Sequence, residues 1–221
     1  MAPIVLAYWD IRGLAQPIRL LLEHVNAEWE DKYYVCGPGP DYDKSSWFNE
    51  KDTLGLPFPN LPYLIDGDLK LVQSTTILRY LARKYDLMGK SMEEATRVDL
   101  IESEICDFRS GFTTGLCYNP NFEDLKDGYL VTLPKKLKRF SEYLESRKYF
   151  AGDDVTYVDF MVYEMLDQHK LLDPKCLDAF ENLQNFVNNV ESLENIKSYI
   201  KSDRIIKNRL NNRRAKFGAG P

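Results

Sequence analysis

Histidine is nearly absent from this chain, with only His24 and His169 in 221 residues. That is too few for a histidine-built metal centre. The four cysteines, Cys36, Cys106, Cys117 and Cys176, are scattered, with no CxxC pair and no zinc-ligand spacing. Their pattern argues against a disulfide scaffold or a zinc domain and reads as a reduced, metal-free, cytoplasmic protein. Long apolar runs are missing too. The opening stretch Pro3 to Trp9 is too short to span a bilayer, and Asp10 and Arg12 end it. No basic region precedes it, so it reads as neither a membrane segment nor a signal peptide. An excess of positive charge is also lacking: 29 Lys and Arg stand against 34 Asp and Glu, a net charge of −5. That balance argues against a general nucleic-acid binder.

The charge that is present is uneven. Residues 201–221 hold seven cations against Asp203 alone, a net +6, and the rest of the chain carries −11. Such a tail reads as a solvated C-terminal extension, with attraction of an anionic partner as the alternative. Apolar residues make up 44% and aromatics 13%, enough for a sizeable core. The length suits one large domain or two small ones.

Two styles of sequence meet near residue 85. Ile4 to Tyr8 is an apolar run of strand length. Pro17 then opens a helical pattern in which Ile18, Leu21, Leu22 and Val25 share one face. Trp29 to Val35 suits a second strand, and residues 36–41, CGPGPD, form a loop. Two apolar runs, Tyr63–Ile65 and Leu69–Val72, flank Asp66-Gly67 as a hairpin. Ser74 and Thr75 are placed to cap a helix burying Ile77, Leu78 and Leu81. Strand, helix, strand, loop, hairpin and helix describe a small thioredoxin-like α/β sheet of βαβ-ββα order.

After Tyr85 only helical stripes remain. Val98, Ile101, Ile105, Phe108 and Phe112 form one, and Leu130, Leu133, Leu137, Phe140 and Leu144 another, with a bend at Pro134. Thr156 with Asp159 reads as a capping box. Further helices are expected over 177–190 and 192–201. The domains are accordingly set at 1–84 and 91–221, α/β and all-α, with 85–90 as linker.

The first strand ends without the thiol that disulfide exchange needs at a helix N-terminus, which disfavours a glutaredoxin-like reductase. It offers Tyr8 instead, a phenol that stays protonated at neutral pH and can donate to an anion. Taken alone, Tyr8 reads better as a rim aromatic that fills space. Lys44, Trp47 and Lys51 fall at i, i+3, i+7, one face of a helix, where two cations and an indole N–H suit a carboxylate. A solvated basic face fits the same spacing. Asn60-Leu61-Pro62 leaves the Leu61 backbone free to pair with an extended ligand. Gln73-Ser74 opens a helix whose N-terminus suits an anion. Together these describe a groove for a small peptide with two carboxylates.

At these residues the chain resembles the glutathione transferases, and within them the mu class. The matching stretches are Tyr8 to Leu14 (YWDIRGL), Asn49 to Lys51, Leu54 to Leu56, Phe58 to Gly67 (FPNLPYLIDG), Gln73-Ser74, Val158 to Phe160 and Cys176 to Phe180 (CLDAF). The resemblance is clear to roughly residue 200. It implies a homodimer that transfers alkyl or aryl groups to glutathione in detoxification, with reduced glutathione as co-substrate and no cofactor. Its alternative is a glutathione-dependent carrier of apolar ligands.

By the same resemblance Tyr8 is the catalytic tyrosine. Tyr8, Trp9, Lys44, Trp47, Lys51, Asn60, Leu61, Gln73, Ser74 and Asp107 contact glutathione, Asp107 from the neighbouring subunit. Trp9, Ile11, Leu14 and Tyr118 wall a hydrophobic electrophile site. Pro62 is a cis-proline, Phe58 an aromatic key for the partner subunit, and Pro38–Asp43 the mu-class loop. Three features depart from the pattern. Lys44 stands where arginine is usual, the Asp107–Tyr118 interval is one residue longer, and the basic tail differs from the usual ending.

Overall fold

A computed structural model describes residues 3–220. The first part holds β1 (Ile4–Trp9), α1 (Gln16–His24), β2 (Trp29–Tyr34), α2 (Ser45–Phe48), β3 (Tyr63–Asp66), β4 (Leu69–Val72) and α3 (Ser74–Lys84). The strands form one sheet in the order β2-β1-β3-β4, with β1/β2 parallel and the other pairs antiparallel. Leu6 and Ala7 on central β1 and Leu64 on β3 are sealed from solvent, as a sheet covered by helices requires. Gly67, at φ +60°, makes the β3–β4 turn after Asp66. The expected α/β fold is the one observed.

Two local expectations fail here. Ser74 is the first residue of α3, not its cap; the capping position is Gln73, at φ 73° and ψ 114°, with no side-chain cap bond. Lys44, Trp47 and Lys51 do not share a helical face. Lys44 precedes α2, a helix of only four residues, and Lys51 opens a separate 3₁₀ turn, Lys51–Thr53. Asp43 fixes the start of α2 by accepting from the Ser45 N–H (2.9 Å) and hydroxyl (2.7 Å). The chain then turns at Asn49 before it rewinds, so the i, i+7 relation is lost.

The rest is helical: α4 (Met92–Phe112), α5 (Phe122–Leu144), α6 (Tyr157–Leu172), α7 (Glu181–Ser192) and α8 (Glu194–Lys201). The α4 stripe is buried from Val98 to Phe112. Each such side chain contributes about 1.5–3 kcal/mol relative to exposure. The capping box is present at α6: the Asp159 carboxylate accepts from the Thr156 N–H (2.7 Å) and hydroxyl (2.8 Å) and from the Phe150 N–H (2.9 Å). Pro134 lies inside α5, which continues through it. Residues 177–179 are turn and Phe180 precedes the helix, so the helix expected from 177 starts at Glu181. No described helix is long and apolar enough to cross a membrane.

The interval between Asp107 and Tyr118, expected to be one residue longer than in the family, contains an irregular turn. After α4 the helix widens into a π turn, Thr113–Cys117, closed by the Tyr118 N–H donating to Thr113 O (3.0 Å). A π turn takes in one residue without breaking the helix.

The basic tail is not a solvated extension. The Arg12 N–H donates to Arg209 O (2.7 Å) and the Gly13 N–H to Leu210 O (3.0 Å), so the tail lies against the end of β1. Leu210 and Ile206 are buried, and Phe217 stacks on Phe122 at 5.9 Å. Arg204 pairs with Glu23 and Arg209 with Asp10, which neutralises cations that the charge count left free.

Candidate active site

β1 delivers Tyr8 and Trp9 to the seam between the sheet and the helices. Tyr8 is 7% exposed. Burial raises its pKa, opposed by the Leu14 backbone N–H and by the charges of Arg109 and Arg19. The phenol is therefore neutral at physiological pH and has a proton to donate. Gly13 makes this placement possible. It sits at φ +44°, and a Cβ there would lie 2.6 Å from Tyr8 Cε1 and 2.9 Å from Tyr8 Oη.

A cavity of about 170 Å³ opens beside Tyr8. Trp9, Ile11, Leu14 and Tyr118 line it, so the four residues assigned to the electrophile wall stand together with Tyr8. The wall is not purely apolar, because Arg109, Thr113, Gln168, Asn211 and Asn212 also face it. Tyr118 accepts from the Asn212 N–H at 2.8 Å, which leaves its own proton unused in that bond. Burial lifts the Tyr118 pKa to about 12. Sequence reasoning missed these polar residues. Asn211 and Asn212 lie in an aperiodic tail, and nothing in the spacing of Arg109 or Gln168 distinguishes them from other helix residues.

The candidate tripeptide groove is more dispersed. Trp47 is buried, edge-on to Tyr34 (centroids 5.2 Å) and stacked on Tyr63 (6.0 Å). Lys51 Nζ lies 5.4 Å from the centre of the Phe48 ring. Lys44 borders an open hollow of about 670 Å³ with Tyr42, Ser45, Asn49 and Arg214. The Leu61–Pro62 peptide is cis. The Leu61 N–H is not free as expected: the Asn60 side chain accepts it at 2.9 Å. Gln73 is exposed, and the first turn of α3 behind it carries no acidic residue. Asp107 is exposed on α4, and Phe58, at 86% exposure, stands clear of the molecule.

Comparison with known proteins places this geometry. A family model described as "Glutathione S-transferase, N-terminal domain" matches residues 4–83, and one described as "Glutathione S-transferase, C-terminal domain" matches residues 106–203. "Glutathione S-transferase Mu 1" from Bos taurus is 54% identical over 92% of this chain and 93% of its own length. The protein of the same name from Homo sapiens is 53% identical over the same shares. The one from Macaca fascicularis is 51% identical over 98% of this chain and 99% of its own. Among solved structures, a Pi-class glutathione S-transferase of Onchocerca volvulus superimposes with a TM-score of 0.85 at 32% identity, covering 97% of this chain and all of the other. The glutathione S-transferase Blo t 8 gives 0.88, also at 32% identity, over 97% and 99%.

Proposed function

The chain belongs to the glutathione S-transferase family, with relatives of the mu class, and we propose that within it Tyr8 holds the thiol of bound glutathione as its anion. The reaction is conjugation of reduced glutathione to an electrophile. A free thiol has a pKa of about 8.5, so only a few per cent is ionised at pH 7. Lowering it by about two units requires about 2.7 kcal/mol of preferential stabilisation. One hydrogen bond to a charged acceptor contributes about 1.5–3 kcal/mol. A single phenol is therefore sufficient, and the reaction needs no metal or cofactor. The observation that carries this reading is the buried, protonated Tyr8 at the mouth of the electrophile cavity.

The tripeptide lies along Trp9, Lys44, Trp47, Lys51, Asn60, Leu61, Gln73 and Ser74. Its γ-glutamyl carboxylate faces the acid-free start of α3, and Lys44 and Lys51 serve the glycine carboxylate. Lys44 supplies charge without a bidentate fork. The cysteinyl backbone pairs with Leu61 once Asn60 releases the Leu61 N–H. The enzyme works as a cytoplasmic homodimer in detoxification, with Asp107 reaching the γ-glutamyl amine of the partner's site. Exposed Phe58 suits an apolar hollow of about 320 Å³ between α4 and α5 of a second copy, bordered by Leu100, Ile101, Phe140 and Tyr143.

Tyr8→Phe tests the assignment. With a chloronitrobenzene acceptor, turnover falls by about ten- to a hundredfold, or about 1.4–2.7 kcal/mol, while the variant is still retained on immobilised glutathione. Undiminished turnover rejects Tyr8 as the thiolate's donor.

A further inference from the structure

No carboxylate lines the cavity beside Tyr8, and those nearby are already engaged. Glu164 receives Arg12 through two nitrogens (3.0 and 2.6 Å) and the Gln168 amide (2.6 Å). Asp167 receives Arg12 as well (2.7 Å), and Asp10 receives Arg209 (2.6 Å). Arg109 is the charge left over. It is half-buried in the last turn of α4, borders the cavity beside Tyr8 and the narrower cleft next to it, and has no hydrogen-bonded or ion-paired side chain among the described residues. Asp107, two positions back, lies on a different side of the helix. The α4 carbonyl end favours a cation in general, but it offers no fork for a guanidinium.

We infer that Arg109 selects electrophiles that carry a carboxylate. The inference deepens the transferase reading and rests on it. The electrophile's carboxylate docks on the Arg109 guanidinium, which sets its reactive carbon towards the sulfur held by Tyr8. Two parallel N–H···O bonds fix orientation as well as charge, which an apolar wall of Trp9, Ile11 and Leu14 cannot do. For an aryl chloride the chemistry is a closed exchange. The sulfur–carbon bond forms, the carbon–chlorine bond breaks with its electron pair on chloride, and the thiol proton leaves to solvent.

The test compares a chloronitrobenzoate with the corresponding chloronitrobenzamide, each rate divided by that with free glutathione in buffer. The ratio of kcat/KM between them cancels any effect of Arg109 on thiol ionisation or on folding. The native enzyme prefers the carboxylate by about tenfold to a hundredfold, the range of one charge-assisted hydrogen bond. Arg109→Gln brings the ratio close to one, chiefly by raising KM for the carboxylate, and Arg109→Lys retains part of the preference. A native ratio near one, or a preference that Arg109→Gln leaves in place, overturns the inference. Failure to turn over either acceptor overturns the transferase reading beneath it.

Discussion

Gly13 shows how closely one side chain's position depends on another residue's lack of one. Its missing Cβ is the room that the Tyr8 ring occupies, and its φ of +44° disfavours any other residue. Gly13→Ala therefore moves the phenol before it perturbs the sheet. Turnover with a chloronitrobenzene acceptor falls at least about tenfold, while the far-ultraviolet spectrum and retention on immobilised glutathione persist. Native turnover in this variant would show that the tight contact relaxes harmlessly. The placement of Tyr8 at the end of β1, where a thiol is missing, was legible from the sequence. The constraint that holds it was not, because a Tyr–Gly contact five residues apart across a bend leaves no periodic trace.

Elements whose sequence carries a regular period were read correctly, and those set by a local exception were not. The β3–β4 hairpin follows from apolar runs around Asp66-Gly67, and the α4 and α5 stripes from their spacing. The start of α2 depends on Asp43 bonding Ser45, the break before the 3₁₀ turn falls at Asn49, and the π turn leaves no periodic sign. The tail's burial was hidden because Ile206, Leu210 and Phe217 lie beyond Lys201, where the described chain forms no helix or strand. Within α6, His169 is fully buried between the Phe108 and Phe112 rings, its Nδ1 2.6 Å from Met165 O and its Nε2 2.7 Å from the Tyr129 hydroxyl. Burial lowers its pKa to about 4. The folded state thus holds the neutral ring, and the stability this provides is complete above the unfolded pKa of about 6.5. It is lost as pH falls towards about 4, at a cost of about 3 kcal/mol. Asp159, raised to about 6 by burial, has the opposite slope, because its ionisation costs stability as pH rises. Urea unfolding between pH 7 and about 4 isolates the histidine. The native protein loses more stability over that range than His169→Gln does, and equal losses would contradict the assignment.

At the scale of the whole molecule, the end of β1, the helices and the tail meet around the cavity beside Tyr8. The Arg12–Glu164 pair ties the end of β1 to α6, and Lys216 N–H donates to Cys117 O beside the π turn (2.7 Å). The cavity beside Tyr8 is thus bordered by both parts of the chain and by Asn211 and Asn212. The proposed assembly places Phe58, 86% exposed, against a second copy. Phe58→Ser shifts sedimentation at micromolar concentration from dimer towards monomer and weakens glutathione binding, because Asp107 then no longer reaches its neighbour's site. An unchanged sedimentation profile would remove Phe58 from the interface.

The central claim is that a neutral phenol at the end of β1 lowers the pKa of a sulfur. Its most direct measurement is the thiolate absorbance of bound glutathione, titrated against pH in the native protein and in Tyr8→Phe. The account predicts a bound-thiol pKa about two units below the free value of about 8.5 in the native protein and a return most of the way to it in the variant. A thiol that titrates alike in both proteins, or near its free value in the native one, would contradict it.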